Sequence, residues 1–326
     1  MNKNLQFLFA VLFSTAGFYL AFKGEDFSAL IFHLSSVNIW GVIISILLLI
    51  ISCFIRALRW QLFIRYFDFV PFNQVFSATM IGYFGNGVLA FRLGEVLKSY
   101  SISQNTNIAT MQAFGTVIIE RTLDVISVII IFIFIVPWFP FHDQYIKYSA
   151  IAVIGISLVS IFFLYFIIRH NGIEYSKELG IFDSQYGRKI FVLLERLFDG
   201  LSILHRMKNT NSIILLSMIL WSIYYIQTII LVNACGITLN IIEVGILLVV
   251  GSIIIGLPAL PGSIGTYDAG IKYSLIVIFN IANDSALNYA IVSHAVSYFP
   301  LTIIGFLYFL IGNYNLSDLK KIELNK

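Results

Sequence analysis

The sequence predicts an all-α fold: a polytopic transmembrane helix bundle of about six full spans plus two interrupted segments, re-entrant or paired short helices, in an inverted-repeat arrangement. Three observations carry that prediction. Of 326 residues, 59% are hydrophobic and 11% charged, with a mean hydropathy of +0.91, whereas a soluble domain carries roughly 25% charge. Several apolar runs reach the ~20 residues that a helix needs to cross a ~30 Å hydrocarbon core. Two further apolar stretches are broken by Gly, Pro and ionisable residues, at 86–95 and 257–268.

The first apolar run, residues 5–22, is longer than a signal-peptide core and has no clear small-residue cleavage site, so it is expected to stay as the first span. Further full spans are expected at 38–55, 113–136, 148–168, 212–234 and 286–311, and the interruptions fall within 72–91 and 241–279. If both interrupted stretches return to the side they entered, only Lys23, Lys147 and Lys272 of the 20 Lys and Arg residues lie outside. The positive-inside rule then places both termini and the basic 169–211 segment in the cytoplasm of a cell (inner) membrane protein. A full crossing by the first stretch alone would invert everything after it. Crossing twice by paired short helices gives the same charge distribution, so both versions stay open.

The resulting order repeats: two spans, an interrupted segment and one span, then the same in the opposite orientation. The halves, about 1–136 and 148–312, make one integral membrane domain over residues 1–326. Within 169–211, Ile190, Leu193, Leu194, Leu197, Leu201 and Leu204 recur at helical spacing, which describes an amphipathic helix on the membrane surface or against the bundle. A formal net charge of +3 on such a chain gives no reason to expect nucleic acid. Cys53 and Cys235 lie in apolar runs and read as small hydrophobes. Without an HExxH pattern, a Cys/His cluster or a Walker lysine, no metal, cofactor or nucleotide loop is expected.

The interruptions are the candidate sites, because a helix broken within lipid survives only where protein or a water-filled cavity satisfies the freed backbone groups. Such segments at matching positions of two inverted halves point to a midplane binding site. Asn86 opens the first, and Arg92 and Glu95 stand three apart near a helix start. Arg92 either grips a phosphate through its planar fork of donors or reaches the cytoplasmic interface while Glu95 caps the helix. Glu120 and Asp124 share a helix face, and Arg121 meets Asp124 at i+3. This group either pairs with the 92–98 region or touches a ligand, and an ion pair that a ligand breaks would act as a gate. In the second interruption Pro261 donates no backbone hydrogen bond, Gly262 and Gly265 allow positive φ, and Asp268 in the following first turn either caps the helix or carries a proton. His294, one turn before Tyr298, is expected in a helix–helix hydrogen bond. Trp40, Trp60, Trp138 and Tyr148 are expected as interface anchors. No catalytic residue is assigned, although Glu95, Glu120 and Asp124 could supply a general base.

At these residues the chain resembles the lysylphosphatidylglycerol synthase transmembrane region, also called flippase-like membrane proteins. The likeness lies in Asn86 through Arg92-Leu93-Gly94-Glu95, in Glu120-Arg121 with Asp124, and in Pro258-x-x-Pro261-Gly262-x-x-Gly265 with Asp268 three further on. It departs from the pattern at Ala90 and Phe91, where a proline often precedes the arginine, at Ser263 for a second glycine, and at Asp268 for glutamate. The resemblance implies a lipid-translocating bundle, found in some relatives beside a cytosolic aminoacyl-transfer domain. Here only a short basic tail follows Ile311, so a stand-alone translocator is expected rather than lysyl-tRNA-dependent synthesis. The implied substrate is an anionic phospholipid or polyprenyl-linked lipid moved during envelope assembly. The alternative is a membrane-embedded transferase, or an accessory subunit presenting lipid to an envelope glycosyltransferase or other lipid-modifying partner.

Overall fold

The computed structural model describes residues 34–89, 92–104, 106–140, 209–256 and 261–312, with single positions between 148 and 162. The expected span at 5–22, most of that at 148–168, and the amphipathic segment up to residue 208 therefore lie outside the described residues. Among the described residues there is no strand, and the helices are α1 (Ile39–Ile64), α2 (Phe72–Val88), α3 (Gly94–Ser103), α4 (Thr110–Ile135), α5 (Thr210–Ala234), α6 (Ile241–Gly256), α7 (Thr266–Phe279) and α8 (Asn283–Ile311). Short 3₁₀ turns cover Val136–Trp138 and Pro261–Ser263.

Local chemistry sets the helix ends. The Asn38 side chain accepts from the backbone N–H groups of Trp40 and Gly41 at 3.0 and 3.4 Å, starting α1. Asn240 and Glu243 exchange reciprocal side chain–backbone bonds of 2.7 and 3.0 Å at the start of α6, a capping arrangement that satisfies orphan donors of the first turn. At its far end α7 stops on Asn280 in the left-handed conformation, φ 55°, which asparagine tolerates better than most residues.

Both interruptions are helical hairpins. A Cβ on Gly85 would come within 2.7 Å of Gly94 Cα, and one on Gly82 within 2.9 Å of Lys98 Cβ, so α3 runs back along α2. Likewise Gly251 faces Ile271 and Gly270 faces Ile254, so α7 runs back along α6. At 1.5 Å per residue the ten residues of α3 extend only ~15 Å, half a hydrocarbon core. The tips of the two hairpins are the two polar interruptions.

The packing follows the repeat. α1 lies on α5; α2 of the first half packs on α8 of the second, and α4 packs on α6 in the matching exchange. The pairs α1–α8 and α4–α5, and α1–α4 and α5–α8, correspond in the same way. One core cluster joins α1, α2 and α4 around Trp60, Phe63, Met80 and Ile119, and a second joins α5 to α8 around Leu231, Leu247, Leu275 and Tyr289. Large apolar side chains such as Leu47, Phe134, Met218 and Leu307 face outward, the surface a bundle needs in lipid.

α1, α5 and α8 are long and apolar enough to cross a membrane by length and composition. α4 is as long as α1 at 26 residues, but carries Glu120, Arg121 and Asp124. Two expectations need correction. α1 runs to Ile64 instead of ending near residue 55, because Arg56 and Arg59, beyond the expected end of the span, are buried and neutralised within the bundle. Trp60 is no interface anchor: it is fully buried, and its Nε1–H donates to Thr116 Oγ1 at 2.8 Å. Trp40 and Trp138 do face outward, at 69% and 74% exposure.

Candidate functional site

Beside the first hairpin, α1, α3 and α4 bring a charge network together. Arg56 Nη1 donates to Glu120 Oε1 at 2.8 Å and Asp124 Oδ2 at 2.7 Å. Arg59 Nη2 donates to Asp124 Oδ1 at 2.6 Å, and Lys98 Nζ to Glu120 Oε2 at 2.7 Å. The Lys98 ammonium also lies 4.0 Å from the centre of the Trp60 ring, a desolvated cation–π contact. Glu120 is wholly buried, and such a carboxylate is tolerable only with partners of this kind. The i, i+4 spacing of Glu120 and Asp124 thus does what one helix face allows: both carboxylates receive the same guanidinium.

Arg121 completes the network differently. Its side chain, 33% exposed, lies 3.4 Å from both Glu120 and Asp124, and 3.2 Å from Glu95. The Glu95 contact is an ion pair with poor hydrogen-bond alignment, since neither Arg121 Nε nor Glu95 Oε1 has a hydrogen-bond partner. Glu95 therefore pairs with Arg121 rather than with Arg92, and it makes no side-chain cap on α3. Arg92 stands at the hairpin tip with φ 57° and has no ion pair with another described residue. The left-handed conformation costs a non-glycine residue about 1–2 kcal/mol, strain of the kind that gathers at functional positions. Asn86 lies against Gly94 across the hairpin, and its buried Oδ1 has no hydrogen-bond partner.

The second tip is built from backbone. Gly262, Ser263 and Gly265 all have positive φ, at 67°, 58° and 79°. Asp268, in the first turn of α7, accepts the Gly265 N–H through Oδ2 at 3.0 Å. Its other oxygen, Oδ1, lies 2.8 Å from His294 Nδ1, and His294 Nε2 lies 2.8 Å from the Gly262 carbonyl. The expected interhelical bond of His294 is thus made to α7. Gly262 packs flat on Tyr298, where a Cβ would come within 2.5 Å of the ring, and Tyr298 donates its hydroxyl hydrogen to the Gly87 carbonyl at 3.2 Å. The two tips are thereby physically joined.

Between them lies a cavity of about 840 Å³. Arg56, Arg92, Arg121 and Asp124 line one part, and Gly262 and His294 another. Much of the rest of the wall is apolar, supplied largely by α4, α6 and α7, and on it Val125, Ile253 and Ile255 stay 43%, 41% and 43% exposed, so among the described residues this side is open. Of the residues singled out in the sequence, Asn86, Arg92, Arg121, Asp124 and Gly262 face the cavity. Glu95 and Glu120 stand behind the arginines, Asp268 stands behind His294, and Pro261 and Gly265 shape the loop. The sequence reading missed Arg56 and Arg59 as partners of this wall. Their signal was an Arg-x-x-Arg pair ending an apolar run while Glu120 and Asp124, on an apolar helix of their own, needed cations. Among the described residues no group of His, Cys, Asp and Glu could hold a metal ion.

Comparison with known proteins agrees with this architecture. A UPF0104 membrane protein of Pyrococcus horikoshii is 23% identical over 287 residues, covering 81% of this chain and 84% of its own length. A UPF0104 membrane protein of Methanocaldococcus jannaschii is 23% identical over 306 residues, 90% of each chain. The family model for the lysylphosphatidylglycerol synthase TM region matches residues 7–305. That match takes in both hairpins, the charge network and the His294 contact, and the chain belongs to this family of integral membrane proteins.

Proposed function

We propose that the chain translocates an anionic, phosphate-bearing lipid, a phospholipid or a polyprenyl-linked lipid, across the cell membrane during envelope assembly. The observation that supports this reading is a single cavity, polar with arginines where the two broken hairpins meet and apolar and open elsewhere. A headgroup sits at Arg92 and Arg121 while its tails remain against the apolar wall. Rocking of α1–α4 against α5–α8, about the α1–α5 contact, exposes the headgroup to either side, with both termini cytoplasmic. An envelope glycosyltransferase or another lipid-modifying enzyme would use the lipid delivered.

Charge narrows the ligand. The wall gathers Arg56, Arg59, Arg92, Lys98 and Arg121 against Glu95, Glu120 and Asp124, an excess of two positive charges among the described residues. Uncompensated charge is expensive away from water, so the ligand that fits best brings about two negative charges, as a phosphomonoester or diphosphate does. Arg forks favour phosphate oxygens over other anions.

Proteoliposomes holding fluorescent phosphatidic acid, phosphatidylglycerol or phosphatidylcholine test this, with sidedness read by an impermeant quencher. Phosphatidic acid should change sides fastest and phosphatidylcholine no faster than in protein-free vesicles, with headgroups chemically unaltered. Equal movement of all three overturns the charge argument. Movement of none overturns translocation, and a changed headgroup would replace it with the transferase reading.

A further inference from the structure

His294 has hydrogen-bond acceptors on both ring nitrogens. The Gly262 carbonyl, 2.8 Å from Nε2, can only accept, so Nε2 carries a hydrogen. Nδ1 faces Asp268 Oδ1 at 2.8 Å, and a neutral ring beside an ionised carboxylate would set two lone pairs against each other at that distance. One further proton therefore lies between Nδ1 and Oδ1, whether counted on an imidazolium or on a carboxyl group. The other carboxylate oxygen is already engaged by the Gly265 N–H. The pair is a single-proton store at the rim of the cavity, and its occupancy sets how many bonds the imidazole can make to the second tip.

We propose that the His294–Asp268 pair is the proton-binding site that couples lipid movement to a proton gradient, a proposal that rests on the translocation reading. With the proton bound, His294 holds both Asp268 and the Gly262 carbonyl. When the proton leaves for water in the cavity, the ring keeps one N–H. The charge-assisted bond to the carboxylate is the stronger, so the hydrogen stays with Asp268 and the Gly262 carbonyl loses its partner. Gly262 sits on Tyr298, and Tyr298 holds Gly87 at the end of α2, next to the tip that carries Arg92. Loading and unloading the proton thus fastens and frees the loop that touches both halves. No covalent bond changes: one proton is taken from water on one side and returned to water on the other.

The titratable and charged surroundings are consistent with this role. From α7, the Tyr267 ring lies tilted against the imidazole with its centre 5.0 Å away, and Lys272 lies one turn beyond Asp268. From α8, Tyr298 stands 5.9 Å away, and Tyr289 lines the same cavity. α2 contributes Tyr83 and Asn86, and α5 contributes Tyr224. Across the cavity are Arg56, Arg92, Arg121 and Asp124, while α6 brings no ionisable side chain after Glu243. The carboxylate in contact with the ring is Asp268.

The test uses the full chain in proteoliposomes with fluorescent phosphatidic acid, the membrane potential clamped and a pH difference of one unit imposed. One proton per lipid predicts that the steady-state ratio across the bilayer shifts about tenfold relative to vesicles with Asp268→Asn. That variant keeps every bond, because its amide donates to Nδ1 and accepts from Gly265, but it exchanges no proton. Asp268→Glu should restore part of the gradient response. If the wild type equilibrates the probe yet ignores the gradient, the coupling proposal falls and translocation stands; if it moves no probe at all, both fall. Nitrogen NMR of His294 in the purified protein gives an answer free of transport. A bridging proton at neutral pH, lost in Asp268→Asn, is expected, and a neutral ring beside an ionised Asp268 overturns the proton site.

Discussion

The two hairpins share a design and divide the chemistry. Each is a pair of antiparallel helices meeting at a polar tip, followed by a long helix that supplies the tip's partners: α4 for the first, α8 for the second. Around the first tip everything depends on full charges, three carboxylates holding cations together inside the bundle. Around the second the groups are backbone carbonyls and amides, one carboxylate and one imidazole. A repeated fold therefore does not imply a repeated site. In the proposed reading one tip holds a charged ligand, and the other changes its bonding by a single proton.

The comparison breaks most visibly at Glu120. Glu120→Gln removes the charge that compensates both Arg56 and Lys98 in a fully buried position, and breaking such a pair should lower stability by about 3–5 kcal/mol. Thermal unfolding in detergent measures this. Arg92→Ala should leave the unfolding midpoint near wild type, since Arg92 holds no ion pair among the described residues. It should still weaken binding of a phosphomonoester lipid at least tenfold, for a charge-assisted contact of about 1.5–3 kcal/mol. Arg92→Lys should recover little of that loss, because an ammonium lacks the fork.

On the backbone-built side the expected effects are smaller and of another kind. Gly262→Ala meets a left-handed φ of 67° and the Tyr298 ring together, and should cost about 1–3 kcal/mol. If the loop serves lipid transfer, transport falls by more than the surviving folded protein accounts for. If the glycines serve packing alone, the two fall in proportion. Tyr298→Phe is the mildest change. It removes the hydroxyl bond to Gly87 and should lower stability by only about 0.5–1.5 kcal/mol. Transport measured beside stability then shows whether joining the tips matters beyond that bond.

The breaks could be read from the sequence because Gly, Pro and charge have no ordinary place in a run such as 241–279, and the structure puts helix ends at Val88, Gly94, Gly256 and Thr266. The positive φ of Gly262 and Gly265 followed from residue type, as did the Asp268 cap. What escaped was pairing over distance. Arg56 lies 64 residues from Glu120 and 68 from Asp124, and a hydropathy reading stops at the first arginine after an apolar run. The same limit hid Trp60 in the core, where Thr116 and Lys98 await it. His294 was legible as a bonded residue, but its two acceptors come from a loop and a helix start that only folding brings together.

The half-exposed Val125, Ile253 and Ile255 on the cavity wall carry a last consequence. A pocket closed on all sides would measure the whole of its cargo, methylene by methylene, whereas one left open along its greasy flank measures only the part that enters. For the proposed phosphate-bearing lipid, selection would then act on the phosphate end and be blind to the remainder. On the proposed translocation reading, lipids with the same headgroup but tails of different length, branching or unsaturation would compete for this protein on equal terms, and a cell that remodels its acyl or prenyl chains in the cold would keep the same protein in service.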